Sequence, residues 1–131
     1  MNRFTTSVLA LFASLLLAGF CAAPALAGTD SLTYYRGNSF LWSRDRVTWS
    51  YTGLKITSGT ASQGCGYIFP NRISARGVRV YKPNVRNWYY TSTYHASVGI
   101  PTPWGPVDVS GYDSRDYIHI DCIGGWTARH N

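Results

Sequence analysis

Glutamate is absent from the 131-residue chain, and all six acidic residues are aspartates. Beyond position 27, leucine is confined to Leu32, Leu41 and Leu54, and alanine to Ala61, Ala75, Ala96 and Ala128. Lysine occurs only as Lys55 and Lys82. These are the best helix formers, so their scarcity excludes helical bundles and coiled coils as the main architecture. The missing glutamate also excludes a small ribonuclease that relies on a catalytic glutamate as its base, unless an aspartate takes that place. Long apolar runs are equally scarce. The one present, Val8–Phe20, is shorter than the ~20 residues a membrane span needs.

That run follows Arg3 and precedes Ala25-Leu26-Ala27, a small-x-small cleavage pattern. Residues 1–27 therefore read as a secretory signal peptide of bacterial type, and the chain is expected to be extracellular, without a transmembrane segment once cleaved. Removal leaves residues 28–131 as a single β domain, with residues 28–38 as an extended N-terminal arm. The arm either pairs within its own domain or adds to a partner's sheet edge. Cys65 and Cys122 are the two cysteines past the leader, and in an exported chain an even count predicts one disulfide between them.

What is present favours strands. All five tryptophans and all ten tyrosines lie beyond the leader, among many Val, Ile and Thr. Val47, Trp49 and Tyr51 alternate with Arg46, Thr48 and Ser50, the period of a half-buried strand. Leu54 and Ile56 resume in the opposite phase, which places a bulge or bend at Gly53. Ser58–Gly64 and Gly111–Asp116 read as turns. Val78 and Val80 alternate with Arg79 and Tyr81. The longest pattern runs from Trp88 to Val98, and Ile118, Ile120 and Cys122 share the inner face of a last strand. Pro101–Pro106 cannot continue a ladder, because proline has no N–H to donate. Six to eight short strands with regular turn signals predict an all-β fold. The expected form is a small antiparallel β-sandwich, immunoglobulin-like in outline, or a partly open barrel with one disulfide.

Chemistry-bearing patterns are few. His119-Ile120-Asp121 puts an imidazole and a carboxylate on one strand face, so a small hydrolase using His119 and Asp121 is one reading. His95 with His119 could serve acid–base chemistry on a phosphodiester. Asp113 and Asp116 look like turn formers. No G-x-S-x-G nucleophile motif or calcium-loop pattern is present, and neither a metal nor a cofactor is expected.

The surplus of aromatic and basic residues speaks instead for a surface. Trp42, Trp49 and Trp88 fit inward positions, whereas Tyr81, Tyr89, Trp104 and Trp126 fall where they face solvent. Arg72, Arg76, Arg79 and Arg86 cluster around one strand, and the formal net charge is +6. Exposed Trp, Tyr and Arg are the residue types of interface hot spots. The expected function is thus a non-enzymatic, protein-binding adaptor, inhibitor or accessory subunit of an extracellular complex, one version being a toxin or antagonism complex. Its contacts are Trp104, Tyr81, Tyr89, Arg76, Arg79 and Trp126. The alternative is a small cationic antibacterial or envelope-binding protein that meets a cell-wall or other acidic polymer; nucleic acid is not expected.

Overall fold

In the computed structural model, which describes residues 26–131, burial alternates along residues 28–37, 42–50, 87–96 and 113–121, as β-pleating requires. Seven strands form in chain order: β1 (Gly28–Gly37), β2 (Leu41–Tyr51), β3 (Ile56–Tyr67), β4 (Asn71–Tyr81), β5 (Asn87–Ile100), β6 (Val107–Asp121) and β7 (Trp126–His130). They make two antiparallel sheets, β1-β2-β3 and β4-β5-β6-β7. Each sheet is a simple meander, so the Greek-key order of immunoglobulin domains is absent among the described residues. The signal-peptide assignment falls mostly outside the described residues. No helix among them is long and apolar enough to cross a membrane.

The inward rows of both sheets meet in one core. Leu32, Val47, Trp49 and Ile56 come from the three-stranded sheet, and Trp88, Tyr90, Ile118, Ile120 and Cys122 from the other sheet and its last turn. Trp49 is 1 % exposed, yet its indole N–H donates to the Asp121 carbonyl at 3.1 Å, so its one polar atom is satisfied. The N-terminal arm is an ordered edge strand: β1 pairs with β2 from Gly28↔Tyr51 to Gly37↔Trp42.

Several local readings change. Ser58–Gly64 is strand, not turn: it pairs in register with β2, Ser58 opposite Ser50 and Gly64 opposite Arg44. Its glycines serve packing. A Cβ on Gly59 would collide with the Tyr90 hydroxyl and the Trp88 ring, and one on Gly66 would collide with the Trp42 indole. Trp42 accordingly lies on the outer face of its sheet, stacked on Tyr35 with centroids 6.0 Å apart, rather than inward. Of the two readings of Gly53, the bend holds: it sits at φ 86° between β2 and β3, while the ladder's register shift lies at Ser50/Tyr51. Gly111–Asp116 is also strand, in the middle of β6, because polar side chains there are used inside the molecule.

The expected disulfide does not form; Cys65 and Cys122 are free. Cys65 pairs with Ser43 at the start of β2, whereas the Cys122 thiol lies 3.4 Å from the Gly53 carbonyl just past the end of β2. The strand between them holds the cysteines about 25 Å or more apart, against the ~6 Å Cα separation a disulfide tolerates.

Alkylating the denatured, unreduced protein with iodoacetamide is expected to add a carbamidomethyl group to both Cys65 and Cys122; an intact mass lacking both additions would contradict the free thiols. Gly59→Val is expected to destabilise the fold by about 1–3 kcal/mol in urea titration, by forcing Tyr90 and Trp88 out of position; an unchanged midpoint would refute the packing role.

Candidate functional site

The interior changes character along its length. Beyond the apolar core, successive inward positions are polar: Asp45 on β2, Gln63 on β3, Ser92 and Tyr94 on β5, and Ser114 and Asp116 on β6. Asp45 is 2 % exposed and Asp116 is fully buried. Ser92 donates to Asp45 Oδ1 at 2.5 Å and Tyr94 donates to the same oxygen at 2.7 Å. The Gln63 amide donates to Ser92 Oγ (2.7 Å) and to the Thr93 carbonyl (3.0 Å), while its Oε1 accepts the N–H of Gly77 (2.9 Å). Arg36 of β1 places Nε 2.7 Å from Asp116 Oδ1 and donates through Nη2 to Ser114 Oγ at 2.8 Å. His130 of β7 reaches the same Asp116 oxygen at 3.3 Å.

The Arg36–Asp116 contact is an ion pair by distance but lacks hydrogen-bond alignment. Arg36 Nε, Asp45 Oδ2 and both Asp116 oxygens are left without a hydrogen-bond partner. Two carboxyl groups thus meet in the buried interior, and only Asp116 faces a guanidinium, that of Arg36. Burial, and next the neighbouring Asp116 carboxyl, raise Asp45 to about pH 7, against the opposing hydrogen bonds of Ser92 and Tyr94. Burial first, then the Asp45 carboxylate, pushes the Tyr94 hydroxyl up as well. Below neutrality Asp45 thus holds a proton, and the cluster acts as a neutralised cross-link between the sheets. With both carboxyls buried, it is a structural device rather than a surface for substrate.

The six sequence-predicted contact residues separate. Tyr81, Tyr89, Arg76 and Arg79 lie on the outer surface of the β4–β7 sheet, where register aligns Tyr81 with Tyr89 and Tyr89 with His119. Trp126 pairs with Ile120 at the start of β7 and is half-exposed. Trp104 sits on the β5–β6 turn, on the order of 35 Å along β5 from Tyr89.

His119 and Asp121 do not form a dyad. His119 Nε2 lies 2.8 Å from Asn87 Oδ1 and its ring stacks on Tyr89 at 4.6 Å, while Asp121 accepts the N–H groups of Ile123 and Gly125 in the last turn. Cross-strand neighbours are closer than residues two apart on one strand, and they win these contacts. Besides His130–Asp116, a His–Asp pair forms between His95 and Asp113 at 2.8 Å, across β5 and β6. Its hydrogen bond, helped by Arg115 and Arg76, holds the Asp113 carboxyl below the ordinary value. Only the hairpin register brings the two together, so spacing carried no signal for it. Among the described residues no three metal-ligating side chains converge.

One end of the molecule is unusually apolar. The inward row of β5 runs through Ala96 to Val98 and Ile100, opposite Val107 and near Val109 and Tyr112 on β6. Strand β2 of the facing sheet begins at Leu41, where a cavity of about 150 Å³ opens between Arg36, Trp42, Ile73 and Tyr112. Past that point the core-facing row has no cover, and Val98, Ile100, Val107, Val109 and Tyr112 are exposed. Phe40, Tyr67, Ile68 and Phe69 are exposed where the other sheet ends. The Ile68 N–H donates to the Phe40 carbonyl (2.8 Å) and the Gly99 N–H to the Pro70 carbonyl (2.8 Å), which ties the two groups together. Trp104, 93 % exposed, crowns the turn, whose backbone is closed by paired hydrogen bonds between Thr102 and Gly105.

Comparison of the chain with family models, curated proteins and solved structures gives no match.

The raised ionisation of Asp45 has a definite sign. Between pH 3.8 and about 7 the unfolded chain loses this proton and the folded one keeps it, so stability falls as pH rises through that window. Asp45→Asn retains the acceptor for Ser92 and Tyr94 but cannot ionise. It is expected to melt level with the native protein at pH 4 and about 5 °C or more higher at pH 8. Equal melting midpoints at pH 8 would refute a protonated Asp45.

Proposed function

We propose that the chain is a secreted, non-enzymatic interaction module, an adaptor, inhibitor or accessory subunit that engages another protein through its apolar end. The observation that carries this reading is the uncovered continuation of the core-facing row from Val98 to Ile100, crowned by Trp104. Contiguous apolar surface of this kind is uncommon on monomers and marks interaction sites. The two layers act as a sandwich whose longer sheet overhangs the shorter, and the overhang presents a ready half of a hydrophobic interface. Trp104, held on a closed turn, loses little freedom on binding and has the size of a hot-spot anchor.

The reading is tested by capture with tagged protein from the culture supernatant of the producing cells, at low and high salt. A stoichiometric protein partner is expected to survive high salt, since burial of apolar surface is not screened. Trp104→Ala, fully exposed and so neutral for folding, is expected to weaken that complex about tenfold or more. A partner held equally well by Trp104→Ala, or released by salt alone, would overturn the assignment.

A further inference from the structure

The outer surface of the β4–β7 sheet carries a second feature, remote from the apolar end. Along β5 its outward side chains are large, small, small and large: Tyr89, Thr91, Thr93 and His95. The two threonines form the floor of a trough of about 860 Å³. One wall is β4, with Arg76, Arg79 and Tyr81; the other is β6, with Arg115 and Tyr117. The walls stand two strand spacings apart, about 10 Å, which admits a single extended chain.

The trough is built, not merely basic. Arg76 occupies a bulge, where the β4–β5 ladder slips between Ala75 and Gly77 and Gly77 adopts φ 109°. The Gln63 side chain accepts the Gly77 N–H and, through its amide, holds Thr93 and Ser92. A glutamine on the opposite sheet thus fixes both the bulge that aims Arg76 and the floor beneath it. Among the described residues, no carboxylate lies within ion-pair distance of Arg76, Arg79 or Arg115. By contrast Arg36 and Arg72 are paired, with Asp116 and Asp108. Asp113, whose charge Arg115 and Arg76 feel, is itself engaged by His95.

The aromatic groups complete the chemistry. Tyr81, Tyr89 and His119 stand in a row across the strands, with Tyr89 stacked on His119 at 4.6 Å and tilted against Tyr81 at 6.3 Å. The Arg129 guanidinium covers Tyr117 at 5.2 Å. Tyr81 and Tyr89 both stay exposed beside the arginines. Guanidinium forks and threonine hydroxyls suit a chain that alternates acidic groups with hydroxyls.

We propose that this trough is a binding site for a single chain of acidic polysaccharide, whose carboxylate, sulfate or phosphate groups are held by Arg76, Arg79 and Arg115 over the Thr91–Thr93 floor. The site is independent of the Trp104 end, so the molecule can hold a polymer and a protein partner at once.

The test is titration calorimetry of the purified protein with polygalacturonate, dextran sulfate, unmodified dextran, oligothymidylate and polyaspartate. The acidic polysaccharides are expected to bind, neutral dextran not to bind, and the last two to bind at least about tenfold more weakly. The triple variant Arg76→Gln, Arg79→Gln, Arg115→Gln is expected to lose about tenfold or more in affinity for polygalacturonate and dextran sulfate. The triple Arg46→Gln, Lys55→Gln, Arg86→Gln has the same net charge and is expected to change affinity less than about twofold. All six positions are exposed, so both variants keep the native melting midpoint. Equal losses in the two triples would reduce the effect to diffuse charge and overturn the site. Tighter binding of oligothymidylate or polyaspartate would transfer the trough to a nucleic-acid or acidic-protein ligand and overturn the polysaccharide assignment. Failure of both acidic polysaccharides to bind would overturn it outright.

Discussion

Two carboxyl groups, Asp45 and Asp116, meet in the buried space between two sheets, and the rest of the structure is arranged around making that contact tolerable. An ionised pair there would be strongly unfavourable without compensation. The compensation comes from four other strands, with Arg36 from β1, Gln63 from β3, Ser92 and Tyr94 from β5 and His130 from β7, and from Ser114 beside Asp116 on β6. Every strand except β4 contributes a side chain, and β4 joins through the N–H of Gly77. Such a network specifies register. If β2 slipped by one residue, Arg44 or Arg46 would replace Asp45 in the interior and Val47 and Trp49 would turn to solvent.

The cluster also divides the molecule. On one side of it the core is apolar and closed, around Trp49, Trp88 and Ile120. On the other side the shorter sheet ends and the longer one continues, leaving apolar side chains uncovered. The same glutamine that satisfies Ser92 reaches through to β4 and holds the bulge under Arg76. Interior polarity and surface geometry are thus coupled: the group that stabilises the buried acid also shapes the basic trough. The apolar end and the trough differ in the physics they offer a partner. The first depends on desolvation and persists in salt, and the second depends on charge and is screened by it.

Much of this was legible in the sequence, because side-chain alternation is a local signal. The inward placement of Trp49, Trp88, Ile118 and Ile120, and the outward placement of Arg79, Tyr81 and Tyr89, follow from period two alone. The break at Pro101–Pro106 followed from proline's missing donor. Composition excluded helical bundles and coiled coils as the main architecture, and the described residues form strands without a helix. Where local cues were overridden, the cause was tertiary. Ser58–Gly64 looks like a turn until Trp88 and Tyr90 require the space that Gly59 leaves free. Gly111–Asp116 looks like a turn until Ser114 and Asp116 meet Arg36 across the interior.

The sequence by itself determined an all-β chain, which side chains of each regular strand share a face, and a surplus of aromatic and basic residues for the surface. Pairing, layering and separation were decided only in three dimensions. They set Cys65 and Cys122 at opposite ends of β2, gave His119 to Asn87 and His95 to Asp113, and parted Trp104 from the tyrosines and arginines it was expected to join. The reason is that alternation is a property of one strand. Which residues become neighbours depends on the register between strands and on where one sheet stops covering the other, and both are set by contacts between residues far apart in the chain.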